Sequence, residues 1–205
     1  MSASTAGVDR APVSVVAIGA SAGGVEALGV LLAALPADFA PAVLVVLHIP
    51  PDRPSRLPEL FRARCALPLR EAVDKETIES GTVYFAPPGY HLQVEPGDWL
   101  SLSADAPVNH SRPSIDVLFE SAAFACGARL LAVVLTGANA DGAQGLRAVR
   151  ETGGTAWVQA PHDAQHEAMP AAALAAAGAD RVLSIRQMAQ AWRELPARPT
   201  GPRVP

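Results

Sequence analysis

Three residues far apart in the chain, Ser21, His48 and Asp141, are the types that acyl transfer needs. A serine hydroxyl is a weak nucleophile at neutral pH. It needs a base to take its proton, and the base needs a carboxylate to fix its tautomer and stabilise its protonated form. Each of the three follows an apolar run. Ser21 comes after Val13 to Gly19, His48 after Val43 to Leu47, and Asp141 after Leu130 to Leu135. Taken singly, Ser21 and Asp141 read as helix caps and His48 as a structural strand-end histidine. Taken together they read as nucleophile, base and orienting acid.

The elements that would bring them together are legible as strands and helices in alternation. Val13 to Gly19 and Val43 to Leu47 are apolar on both faces, as strands of a parallel sheet covered by helices are. Between them, Val25, Leu28, Leu31, Leu32 and Leu35 recur at helical spacing, and Pro36 ends the run. Further strands are expected at Leu130 to Leu135, Thr155 to Val158 and Arg181 to Leu183. Further helices are expected at Leu57 to Cys65, from Pro113 through Ala122, up to Arg150, at Pro170 to Ala177 and at Ile185 to Leu195. The expected fold is a doubly wound, Rossmann-like α/β sheet, mostly parallel and flanked by helices. The segments Leu69 to Val73, Thr82 to Ala86, His91 to Val94 and Trp99 to Ser103 read as an elaboration containing a small antiparallel hairpin insertion. The catalytic domain is expected over residues 12–195, with flexible tails at 1–11 and 196–205.

In such folds function collects at the carboxyl edge of the strands. Neighbouring strands lie about 5 Å apart, so adjacent first and second strands would set Ser21 beside His48. Asp141 would come from a strand flanking that pair. Gly19, Gly23 and Gly24 suit close backbone approach. The Ala22 and Gly23 amides are candidates for holding an oxyanion.

Other chemistries fit less well. Gly19-Ala20-Ser21-Ala22-Gly23-Gly24 lacks the three-glycine spacing of a dinucleotide site, and His48 stands where a ribose-binding acid is expected. No Walker lysine is present. His162 and His166, with Asp163 and Glu167, fall in a polar loop without zinc-hydrolase geometry. Neither a cofactor nor a metal is called for. A net charge of −4 with no basic run argues against a nucleic-acid partner. Apolar residues make up 50% of the chain, but Gly, Pro and charges break them into runs too short for a membrane span. The first residues lack a secretion signal. Cytoplasmic localisation, with Cys65 and Cys126 as reduced thiols, is the expectation.

The turn Gly19 to Gly24, His48-Ile49-Pro50, Arg112-Pro113-Ser114-Ile115-Asp116 and Leu135 to Gly142 occur in an order that resembles the catalytic domain of the bacterial chemotaxis protein-glutamate methylesterases. The resemblance runs from about Val13 to Leu195. It implies Ser21 as nucleophile, His48 as base and Asp141 as acid. It also implies hydrolysis of glutamyl methyl esters on the cytoplasmic helices of methyl-accepting chemoreceptors, with deamidation of receptor glutamines in some members. Ala22, Gly23, Ala138 and Asn139 fall at oxyanion and pocket positions. Arg112, Ser114 and Met169 match segments lining the same edge, where Arg112 would dock the acidic receptor helix.

Two departures from the resemblance stand out. Typical members have Met and Gly where this chain has Ala138 and Asn139, which widens the pocket wall beside the nucleophile. Typical members also carry an N-terminal phosphoreceiver domain, and only about a dozen residues precede the first strand here. A stand-alone enzyme, constitutively open or controlled by a separate regulatory protein, is the expectation. The alternatives are a non-catalytic receptor-binding signalling module, and a related serine hydrolase acting on another ester or amide.

Overall fold

A computed structural model describes residues 12–49 and 55–198. Its centre is a seven-stranded sheet of all-parallel pairs, ordered β3-β4-β2-β1-β7-β8-β9. The strands are β1 (Val15–Ala20), β2 (Ala42–Leu47), β3 (Leu69–Glu71), β4 (Val83–Phe85), β7 (Leu130–Val134), β8 (Thr155–Gln159) and β9 (Arg181–Leu183). A separate antiparallel pair, β5 (His91–Glu95) and β6 (Trp99–Ser103), forms a hairpin. The helices are α1 (Gly24–Ala33), α2 (Leu57–Arg62), α3 (Ile115–Cys126), α4 (Ala143–Glu151), α5 (Ala168–Ala177) and α6 (Ile185–Ala191).

The two-residue period of β1 explains the layering. Val15 and Ala17 face a core shared with Ile115, Leu118 and Phe119 of α3, Leu146 and Val149 of α4, and Met169 and Ala173 of α5. Val16, Ile18 and Ala20 face a second core with Leu28, Leu31 and Leu32 of α1, Phe61 of α2, and Met188 of α6. Both faces are therefore covered, and every residue of β1, β2 and β7 is buried. The doubly wound architecture expected from the uninterrupted apolar runs is the one observed. The chain switches direction across the sheet between β1 and β7. The carboxyl edge there is the cleft where such folds bind ligands.

The middle of the chain departs from expectation. β3 and β4 are not part of an appended unit: β4 pairs in parallel with β2 (Val43↔Val83) and β3 with β4 (Leu69↔Val83). The alternation decides it, because Val83 and Phe85 enter one core and Tyr84 the other, as a central strand requires. Only β5 and β6 form the antiparallel insertion. Pro113, expected in the first turn of a helix, lies outside α3. It follows a cis Arg112–Pro113 bond, and Ser114 takes the N-cap position in extended conformation. The last helix stops at Ala191 and continues as a 3-10 turn over Trp192–Glu194, with the indole of Trp192 donating to the Leu31 carbonyl at 3.1 Å.

Residues 196–198, expected in a flexible tail, are held against the loop after α1. The Ala40 amide donates to the Pro196 carbonyl at 3.0 Å, and Ala197 forms a bridge with Phe39. The expected tails at 1–11 and 199–205 lie outside the described residues. Cys65 sits just past α2 and Cys126 ends α3, and both are free thiols whose titration burial pushes upward. Among the described residues no helix is long and apolar enough to cross a membrane.

Candidate active site

Sheet register places Ser21 and His48 together. Ala20 and Leu47 are partners at the ends of β1 and β2, and the His48 amide donates to the Ala20 carbonyl at 3.1 Å. On the other side of β1, the Ser21 amide donates to the Thr136 carbonyl at 3.0 Å, just past β7. The ladder thus extends one residue beyond β1 and β2 and two beyond β7 before the chains diverge, and it fixes the backbone of the Ser21 turn between its two neighbours.

The side chains form a continuous line. Ser21 Oγ lies 3.2 Å from His48 Nδ1, and His48 Nε2 lies 2.9 Å from Asp141 Oδ2. An ionised carboxylate only accepts, so Nε2 carries the proton and Nδ1 presents a lone pair to the serine hydroxyl. The imidazole is 13% exposed and the Asp141 carboxylate 0%, so the carboxylate is sealed while the imidazole still meets solvent.

Asp141 is held by far more than the histidine. Its Oδ2 also accepts the Ile115 amide at 2.7 Å. Its Oδ1 accepts Asn109 Nδ2 at 2.9 Å, Ser114 Oγ at 2.8 Å, and the Asp116 and Gly142 amides at 3.1 Å each. Ile115 and Asp116 open α3, so the carboxylate also meets the positive end of that helix. Burial by itself lifts the Asp141 carboxyl, but the hydrogen bonds from His48, Asn109, Ile115 and Ser114 outweigh it and hold the group below its ordinary range. The adjacent Asp116 goes the other way. Burial raises it, against the Gly145 amide, and the Asp141 charge adds to the rise.

The Ser21 turn is tied down by Thr136. Its hydroxyl donates to the Ala22 carbonyl at 2.9 Å and accepts the His166 amide at 2.8 Å, while its own amide donates to Gln159 Oε1 at 2.9 Å. Gly23 has φ +78°, and a Cβ there would stand 2.6 Å from Gln165 Oε1. The Ala22 and Gly23 amides donate to no acceptor among the described residues, which leaves them open to a ligand. Ala138 is exposed at the end of a hollow of about 510 Å³ that it shares with His162, Gln165 and His166. No cluster among the described residues could hold a metal ion.

The expected substrate-facing residues divide. Arg112 lines a cleft of about 350 Å³ with His48, Ile49 and His110, and its guanidinium donates to the Ala104 and Asp105 carbonyls at 2.7 and 2.9 Å. Ser114 is fully buried with its hydroxyl spent on Asp141, so it supports the acid and does not line the cleft. Met169 is likewise buried. Its amide donates to the Gly137 carbonyl at 3.0 Å, and its thioether fills the space a Gly137 side chain would need. Asn109 and Thr136 were not singled out from sequence. Thr136 lies inside the Leu135 to Gly142 run and Asn109 three residues before Arg112, but nothing in their type or spacing shows where their side chains reach.

With this geometry in place, comparison with known proteins is direct. Residues 16–192 match the CheB methylesterase family. The chain belongs to that family. A Leptospira interrogans relative is 43% identical over 180 residues, covering 88% of this chain and 93% of its own length. A Saccharophagus degradans relative named protein-glutamate methylesterase/protein-glutamine glutaminase 1 is 40% identical over 185 residues, covering 89% of this chain but 50% of its own length. The chain therefore spans nearly the whole of one family member and half of another. Its fold matches the crystal structure of the Thermotoga maritima CheB methylesterase catalytic domain with a TM-score of 0.84 at 29% identity, over 90% of this chain and 99% of that one. The family expected from the four motifs, and the fold class expected from the alternation of strands and helices, are thus the ones found.

Proposed function

We propose that this chain hydrolyses glutamyl methyl esters on the cytoplasmic helices of methyl-accepting chemoreceptors, using residues 12–195 as the catalytic domain and working in the cytoplasm. The observation that carries the reading is the unbroken line from Ser21 Oγ through both imidazole nitrogens of His48 to Asp141 Oδ2. Such a line has one economical use, to draw a proton off the hydroxyl as it attacks a carbonyl carbon.

In the first step Ser21 Oγ attacks the ester carbonyl and His48 Nδ1 takes its proton. Asp141, already ionised and fixed by six donors, offsets the imidazolium charge. The carbonyl oxygen becomes an oxyanion, for which the Ala22 and Gly23 amides, without an acceptor among the described residues, are the donors in this reading. The proton on Nδ1 then passes to the methoxy oxygen, the C–O bond breaks, and methanol leaves a glutamyl-enzyme. Water, deprotonated by the same nitrogen, releases glutamate.

Arg112 beside His48 gives the cleft a cationic lip suited to an acidic receptor helix. Receptor glutamine would form the same acyl-enzyme with ammonia as the leaving group, in keeping with the double name of the Saccharophagus relative. The opened wall at Ala138 favours one second reading, hydrolysis of an ester bulkier than methyl.

The test is methanol release from methylated receptor by wild type and by Ser21→Ala. Turnover is expected to vanish in the variant while its thermal unfolding is unchanged. Equal rates would remove Ser21 from the mechanism. A wild type that releases no methanol, yet is labelled at Ser21 by a phosphonate, would point to a different ester. Without labelling, a binding module would be the better description.

A further inference from the structure

We propose that the Asn139 carboxamide is a second donor to the departing alcohol oxygen, and that it biases this site toward esters over amides. The inference rests on the esterase reading above. Asn139 Oδ1 accepts the Asp141 amide at 3.2 Å, and Asn139 Nδ2 lies 3.4 Å from His48 Nδ1. These two contacts fix which end of the carboxamide faces which neighbour. Turning it over would set NH₂ against an N–H and an oxygen against a lone pair. The NH₂ therefore faces the same imidazole nitrogen that the Ser21 hydroxyl approaches at 3.2 Å.

That nitrogen has one lone pair and two donors directed at it, so in the resting site each contact is long and shared. The sharing ends when the Ser21 proton moves to Nδ1. The lone pair is then used, and the Asn139 N–H has lost its acceptor at the moment charge develops on the substrate. In a serine triad the leaving group lies on the imidazole side, because the imidazolium must protonate it, and the oxyanion lies away from it. Asn139 stands on the imidazole side. Its new acceptor is the alcohol oxygen, not the oxyanion expected for it from sequence. An interaction available only after proton transfer accelerates the chemical step without tightening substrate binding.

The atoms balance. The C–O bond breaks, its electron pair stays on the alcohol oxygen, and that oxygen takes the proton from His48 Nδ1. Asn139 keeps both of its hydrogens and only donates a hydrogen bond. An ester oxygen has two lone pairs in the tetrahedral intermediate and can receive His48 and Asn139 together. An amide nitrogen has one, which His48 uses, and so gains nothing from Asn139.

The test uses two peptides of one sequence, carrying glutamyl γ-methyl or γ-p-nitrophenyl ester, and compares kcat/KM for wild type and Asn139→Ala. Methoxide is a poor leaving group that needs both donors, and p-nitrophenolate leaves without help. The methyl ester is expected to lose about 10- to 100-fold, the scale of a hydrogen bond to a charged group. The aryl ester is expected to lose at most about threefold, which also shows that the variant folds. Equal losses on both peptides, the mark of a misplaced His48, would overturn the inference and leave the esterase reading standing. So would no loss on either. A wild type inert on both peptides would overturn both.

Discussion

The Asp141 carboxylate accepts the Ile115 amide at 2.7 Å, and so caps a helix from a different part of the chain. Ser114, at the N-cap position of α3, makes no cap hydrogen bond of its own and gives its hydroxyl to Asp141. The carboxylate that faces His48, the proposed acid, is therefore also the missing cap of the helix packed beneath the site. Its charge is stabilised by the same amides that need an acceptor, so the folding requirement and the proposed catalytic requirement coincide in one group.

This double role sets a pH dependence. The folded Asp141 titrates below its ordinary range, so the unfolded chain binds its proton first as pH falls. The stability it contributes is complete above the unfolded value, about 4, and is lost as pH drops from there through the folded value. Asp141→Asn is expected to lower stability at pH 7 by about 2 kcal/mol or more and kcat by about 10⁴-fold. In denaturant unfolding the stability gap between wild type and variant should narrow below about pH 4. A gap that stays constant down to pH 2 would mean the hydrogen bonds do not favour the charged form.

Asn109 is expected to matter for rate more than for stability. Its Nδ2 donates to Asp141 Oδ1 at 2.9 Å and to Asp116 Oδ2 at 2.7 Å, bridging two carboxylates from an exposed loop tip. Its φ of 50° makes glycine the clean replacement, since glycine keeps the turn and removes only the carboxamide. Asn109→Gly should lower kcat about tenfold or more with little change in thermal midpoint. Steady-state kinetics beside calorimetry check this, and an unaltered kcat would count against it.

Gly19 controls how closely α3 approaches β1. A Cβ at Gly19 would stand 2.3 Å from Ile115 Cγ2, so Gly19→Ala must push the start of α3 away from the sheet and shift the Ile115 amide off Asp141. A loss of about 1–3 kcal/mol is expected, together with reduced kcat. Ile115→Ala in the same chain should recover part of both by making room. Strictly additive losses in the double variant would show that the contact is not the cause.

The amino-acid sequence by itself determined the sheet and pointed to Ser21, His48 and Asp141 as the residues to bring together. Apolar runs buried on both faces read as central strands. Ser21 and His48 stand just past the ends of two of them, and Asp141 lies in the loop that leads from β7 into α4, at the edge to which parallel strands deliver side chains. Period and position along a strand are local properties, so they can be read from a line of residues. Only the tertiary structure decided that β3 and β4 join the main sheet, that Ser114 and Met169 turn inward, that Asn109 reaches two carboxylates from a loop, and that Asn139 faces the base. Those outcomes depend on which donors and acceptors, distant in the chain, are left without partners once the layers pack. A buried polar group takes the nearest complementary atom in space, and sequence distance places no limit on where that atom comes from.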